Sequence, residues 1–98
     1  MASSKSYLDF VLDTIALPGL SSRKMMGEYL LYLDGVLFGG IYDDRLLLKP
    51  TPAATALLPD APMELPYPGA KPMLLAEDVE NGDKLRELLN AMLPELKK

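Results

Sequence analysis

Carboxylates are the most plentiful reactive groups in this chain, and two places concentrate them: Asp43-Asp44, and the run from Glu77 to Asp83. Any two carboxylates at a suitable separation can do general acid–base work. Adjacent aspartates between two apolar runs, however, have the spacing of a turn. The second run lacks the D-x-[DN]-x-[DN]-G order of a calcium loop, and acidic residues are expected at a helix start from the dipole alone. Histidine and cysteine are both absent. That removes the usual general base, the thiolate nucleophile, disulfides and the commonest zinc ligands. All five serines fall between Ser3 and Ser22, and without histidine an ordinary Ser–His pair cannot form. Gly39-Gly40 is not a phosphate loop, because such loops join a strand to a helix and carry further glycines at fixed spacing. No catalytic residue, cofactor or metal site is expected, so the residues point away from an enzyme.

Arg23-Lys24, with Arg45 and Lys49, is the only basic patch the sequence offers. Fourteen acidic against ten basic side chains leave a net charge of −4. This balance argues against direct binding to nucleic acid, which rests on neutralising phosphates. The four cations could instead orient an acidic protein partner. The longest apolar runs, such as Tyr29 to Leu33, are far too short to cross a bilayer. Asp9 and Asp13 interrupt the apolar start in a way a secretory signal would not, so a cytoplasmic protein with no membrane segment is expected.

The 98 residues fit one domain. Leu8, Val11, Leu12 and Ile15 follow helical spacing, predicting a helix over about 4–17 that Ser4 or Ser6 caps and Pro18-Gly19 stops. Met25 to Gly27 reads as a short strand or an entry turn. Asp34-Gly35 is a strong hairpin signal, and Asp43-Asp44 a second, weaker one. They divide the next stretch into strands at about 28–33, 36–42 and 45–49. Seven of the nine prolines lie between Pro50 and Pro72, making this stretch mainly connection. It has room for a short helix at 53–58 and a short strand at 63–67. A further strand is expected at 73–76. A last helix, with the stripe Leu85, Leu88, Leu89 and Met92, should end at Leu93 because Pro94 follows. The order is α-β-β-β-α-β-β-α, a two-layer α+β domain with an antiparallel sheet and helices mainly on one face.

Two-residue turns would fix the register: Leu31 opposite Phe38, Tyr29 opposite Gly40, and Gly40 opposite Leu47. Leu30, Tyr32, Leu37, Gly39, Ile41, Leu46 and Leu48 would then share an uncharged face under the helices. Tyr29, Leu31, Leu33, Val36, Phe38, Gly40, Tyr42, Arg45, Leu47 and Lys49 would share the other, which is too apolar to be left in water. Either the Pro-rich connection folds over it, or it is a contact face for a protein partner or a second copy of the chain. On the second alternative the face centres on Tyr29, Phe38 and Tyr42, with Arg23, Lys24, Arg45 and Lys49 beside it. The two glycines are expected to be packing residues or the site of a bulge.

From Ser22 to Lys49 the chain resembles the N-terminal domain of the TfoX/Sxy family, which is linked to the regulation of natural competence. Arg23, Met25, Gly27, Tyr32, Asp34-Gly35, Phe38, Asp43-Asp44 and Lys49 stand in the places of the family pattern. Met26 replaces a usual Phe, Glu28 a usual Gly, and Leu30 a residue that is often Gly. The separate C-terminal domain of the full-length regulators has no counterpart in these residues, so a stand-alone copy is expected. The resemblance implies the same α+β order, grouped with secretion-chaperone-like folds. It also implies a non-enzymatic interaction or regulatory domain, acting through protein contacts, with a role in transcriptional regulation. The alternative is a small-ligand binder or enzyme with a pocket between the Pro-rich segment and the sheet; direct DNA binding ranks last.

Overall fold

The computed structural model describes residues 3–97. Helix α1 (Lys5–Ile15) starts where the Ser4 side chain accepts the Tyr7 amide hydrogen, and ends at Ala16 in the left-handed region. Four strands follow: β1 (Leu20–Met25), β2 (Glu28–Leu33), β3 (Val36–Tyr42) and β4 (Arg45–Leu48). Helix α2 (Pro52–Leu57), strands β5 (Met63–Glu64) and β6 (Met73–Leu75), and helix α3 (Gly82–Leu96) complete the order. All strands pair antiparallel in one sheet, ordered β1-β2-β3-β4-β6-β5. The two-layer α+β arrangement is the one expected from the sequence, with β1 added at one edge. Three hairpins close on two-residue turns with positive φ at both positions: Met26-Gly27, Asp34-Gly35 and Asp43-Asp44. The last two carry the residues that tolerate this conformation. The first carries a methionine, which gives no such signal, and so β1 extends well beyond the short strand or turn read at 25–27.

The register differs from expectation where β3 bulges. Leu33 pairs with Val36 and Tyr32 with Leu37, but Leu31 then pairs with Gly39, leaving Phe38 as the extra residue. Gly39 makes this bulge tenable, because a Cβ there would collide with the Leu47 carbonyl and crowd Leu48 Cα on β4. One extra residue moves everything beyond it to the opposite face. Tyr29, Leu31 and Leu33 therefore point into the core together with Phe38, Ile41, Leu46 and Leu48. Leu30, Tyr32 and Leu37, expected beneath the helices, are half-exposed, and Leu30 and Leu37 line a cleft on the far face.

All three helices cover the core face: Leu8, Val11 and Ile15 of α1, Ala54 of α2, and Leu85, Leu88, Leu89 and Met92 of α3 lie in the same buried cluster. Burying such side chains contributes roughly 1.5–3 kcal/mol each, less the entropy of ordering them. Helix α3 does not stop at Leu93; it continues past Pro94 to Leu96. Proline removes its own amide hydrogen bond and its ring crowds the carbonyl four residues back, yet the next turn is held by the Lys97 amide on the Leu93 carbonyl at 3.0 Å. Gly82 lets the start of α3 approach α1, since a Cβ would lie 2.6 Å from the Thr14 carbonyl oxygen. Arg86 then donates to the Thr14 and Ile15 carbonyls, both at 3.1 Å, satisfying the end of α1.

Candidate interaction surface and cleft

Strand β1 lies at the sheet edge, with no strand beyond it among the described residues. From Ser21 to Met25 every residue is exposed, so neither layer covers the strand on either face. Arg23 sits opposite Leu30 and Lys24 opposite Tyr29, so successive cations project to opposite faces. Neither is ion-paired among the described residues. The hairpin tip beyond them carries Met25 and Met26, and Met26 is 95% exposed with φ at +53°. A bulky residue in the left-handed region costs on the order of 1 kcal/mol, and this one recovers no burial. Ser21 and Lys24 have the Ser-x-x-Lys spacing, but on a strand that spacing sends hydroxyl and amine to opposite faces.

The other expected contact residues separate. Phe38 is 1% exposed and Tyr29 9% exposed, both within the helix-covered core. They do not form a surface with Tyr42, and the bulge is the reason. Tyr42 is buried on the far face, outside that core, where its ring packs over Gly40. Arg45 is engaged at home: its guanidinium pairs with Glu64, and its Nε donates to the Tyr42 carbonyl at 3.2 Å. It braces β4 to the strand-edge segment that follows.

The Pro-rich connection folds partly over this far face. Between its Pro66–Pro72 stretch and the sheet lies a cleft of about 550 Å³, floored by Leu30, Leu37 and Gly39 and walled by Tyr42, Lys49, Tyr67 and Lys71. The connection thus covers the β4 side of this face and leaves a cavity beside it. Burial raises the pKa of the Tyr42 phenol above its usual value, with Tyr67, Glu28 and Tyr32 adding to the effect. The phenol stays protonated throughout the physiological range. Lys71, which the residue pattern alone did not single out, is brought to the cleft by the chain reversal around Gly69.

Glu28 organises the end of the sheet next to this site. Its carboxylate accepts the Ser3 amide at 2.9 Å and the Asp43 amide at 3.1 Å, and also bonds the Ser3 hydroxyl. Asp44 accepts the Ser4 amide at 2.9 Å. The β3–β4 turn and the start of α1 are thereby tied to β2. The acidic run between β6 and α3 is solvated, with Asn81 capping α3 through the Lys84 amide and Asp83 paired to Arg86. No helix among the described residues is long and apolar enough to cross a membrane.

An antiparallel sheet with helices on one face and a proline-rich segment over part of the other defines a small α+β domain. The TfoX N-terminal domain model matches residues 14–91, and the chain belongs to that family. It is also 42% identical over 92 residues to an uncharacterised 12.7 kDa protein in the trpE 5′ region of Spirochaeta aurantia. That match covers 91% of this chain and 79% of the relative. No solved structure matches the chain.

Proposed function

We propose that this domain is a non-enzymatic interaction module of regulatory type, whose contact surface is the β1 edge and the β1–β2 hairpin tip. The observation that carries the reading is Met26: exposed, apolar and held in a backbone conformation that costs stability. Strain of this sort is retained where a contact needs the side chain. An exposed methionine pair is adaptable contact material, since the thioether chain repacks readily against different surfaces. Arg23 and Lys24 beside it favour an acidic, extended partner segment that adds to β1 through backbone hydrogen bonds.

Self-association through the same edge is disfavoured, because antiparallel pairing of two β1 strands would gather both Arg23-Lys24 pairs together. Direct DNA binding is disfavoured by the net charge of −4. The family assignment supports a regulatory role in transcription, reached through a protein partner.

The test compares affinity capture from the native cell by wild type, Met26→Asn and Arg23→Glu/Lys24→Glu. Asparagine suits the turn, so Met26→Asn should raise the unfolding midpoint while releasing the partner. Charge reversal should release the same partner with the fold unchanged by circular dichroism. Identical partner sets on all three baits would overturn the assignment of β1 as the contact surface.

A further inference from the structure

We propose that the cleft between the far sheet face and the Pro66–Pro72 segment binds a small amphipathic carboxylate, its apolar body on Leu30, Leu37 and Met73 and its charge between Lys49 and Lys71. The site is separate from the β1 edge and does not depend on it. Its volume of about 550 Å³ falls within the range of roughly 300–1,000 Å³ usual for small-ligand sites. Its floor is aliphatic, which suits a hydrocarbon or aryl body and gives a fully polar ligand nothing to gain.

Charge identifies the other end of the ligand. Among the described residues two lysines line the cleft and no aspartate or glutamate does, in a chain whose net charge is −4. Neither lysine is ion-paired among the described residues. Lys49 is half-buried, and its amide is fixed on the Phe38 carbonyl at 2.9 Å. Its backbone is therefore set while its amine remains available. The protonated phenol of Tyr42 is a further donor in the wall. The Thr51 hydroxyl accepts the Ala54 amide hydrogen as the cap of α2, which leaves its own hydrogen to donate to a carboxylate.

A phosphate would fit poorly. Phosphate sites commonly add arginine forks or free amides at a helix start to any lysine point charge. No arginine lines the cleft, and the nearby α2 amides are taken, Ala53 by Glu95 and Ala54 by Thr51. Lysine point charges meeting a single carboxylate are the simpler match.

Decanoate, below its micelle threshold, is the probe, with decanol as its uncharged counterpart and an acidic apolar peptide as the macromolecular one. Binding is measured by calorimetry and located by amide chemical shifts. One decanoate should bind per chain, shifting Leu30, Leu37 and Lys71, with decanol at least about tenfold weaker, as loss of a charge-assisted contact implies. Lys49→Gln/Lys71→Gln should weaken decanoate about tenfold and leave decanol unchanged, and Met26→Asn should change neither. Equal affinity for decanoate and decanol in the wild type would sink the proposal without recourse to any variant. So would shifts that map elsewhere, or binding of the peptide but not of decanoate.

Discussion

The Glu95 carboxylate accepts the Ala53 amide hydrogen at 2.9 Å, joining the last turn of α3 to the first turn of α2. Pro52 has no amide hydrogen and the Thr51 side chain serves Ala54, so Ala53 would otherwise face the end of α2 unpartnered. The negative charge also meets the positive end of the short helix. This contact accounts for a helix that runs on past Pro94, since stopping at Leu93 would withdraw Glu95. Replacing Glu95 with alanine should cost about 1 kcal/mol, as loss of a capping interaction does. Urea unfolding measures it, and Glu95→Gln, which keeps an acceptor, should lose less.

Glu28 should matter more. Its carboxylate gathers the Ser3 amide and hydroxyl and the Asp43 amide at the junction of α1, β2 and the β3–β4 turn. Glu28→Ala leaves these donors without a charged acceptor, and about 1–3 kcal/mol should be lost. Amide exchange at Asp43 should accelerate in the variant more than exchange in α3, which is remote from the junction. Uniform acceleration would mean that the carboxylate acts on the whole fold rather than on this corner.

Local chemistry explains what could be read from the residues alone. Asp34-Gly35 and Asp43-Asp44 announce their turns because their side chains tolerate positive φ. Leu85, Leu88, Leu89 and Met92 announce a buried helix face by spacing. Met26-Gly27 makes the same kind of turn with a residue that gives no signal, so most of β1 stayed hidden. The bulge at Phe38 depends on the approach of Gly39 to Leu47 and Leu48, a contact between strands that no single-strand pattern encodes. The paired glycines admit a bulge without fixing its place, and a register without one puts Tyr29 and Phe38 on the far face, whereas both lie in the core. Arg23, Lys24 and Lys49 stood out as cations, but Lys71 joins Lys49 only through the path of the Pro-rich segment.

Gly39 provides a direct test of the bulge. Each of the nearest atoms that its missing Cβ would meet belongs to the β4 backbone, which cannot swing aside as a side chain can. Gly39→Ala should therefore cost more than about 2 kcal/mol, in the range of overpacked core substitutions. Gly69→Ala meets nothing within 4 Å and bears only the strain of φ at +87°, a penalty of roughly 1–2 kcal/mol. Thermal unfolding of the two variants should rank Gly39→Ala as the less stable.

Alkaline pH should report on the phenols of Tyr42 and Tyr7. Burial raises the Tyr42 pKa, with smaller contributions from Tyr67, Glu28 and Tyr32. Burial also raises that of Tyr7, with Asp44 adding to it. The folded state therefore holds the neutral phenol more tightly than the unfolded chain, whose tyrosines titrate near 10.0. The corresponding stability is fully present below that unfolded value and is lost as pH rises through the folded one. Ultraviolet absorbance of the phenolate should accordingly lose late-titrating amplitude in Tyr42→Phe and in Tyr7→Phe. Tyr42→Phe should also flatten the alkaline fall in stability, because phenylalanine has no proton to lose. Should Tyr42→Phe leave the late-titrating absorbance unchanged, the far face would be open enough for water to reach the Tyr42 phenol.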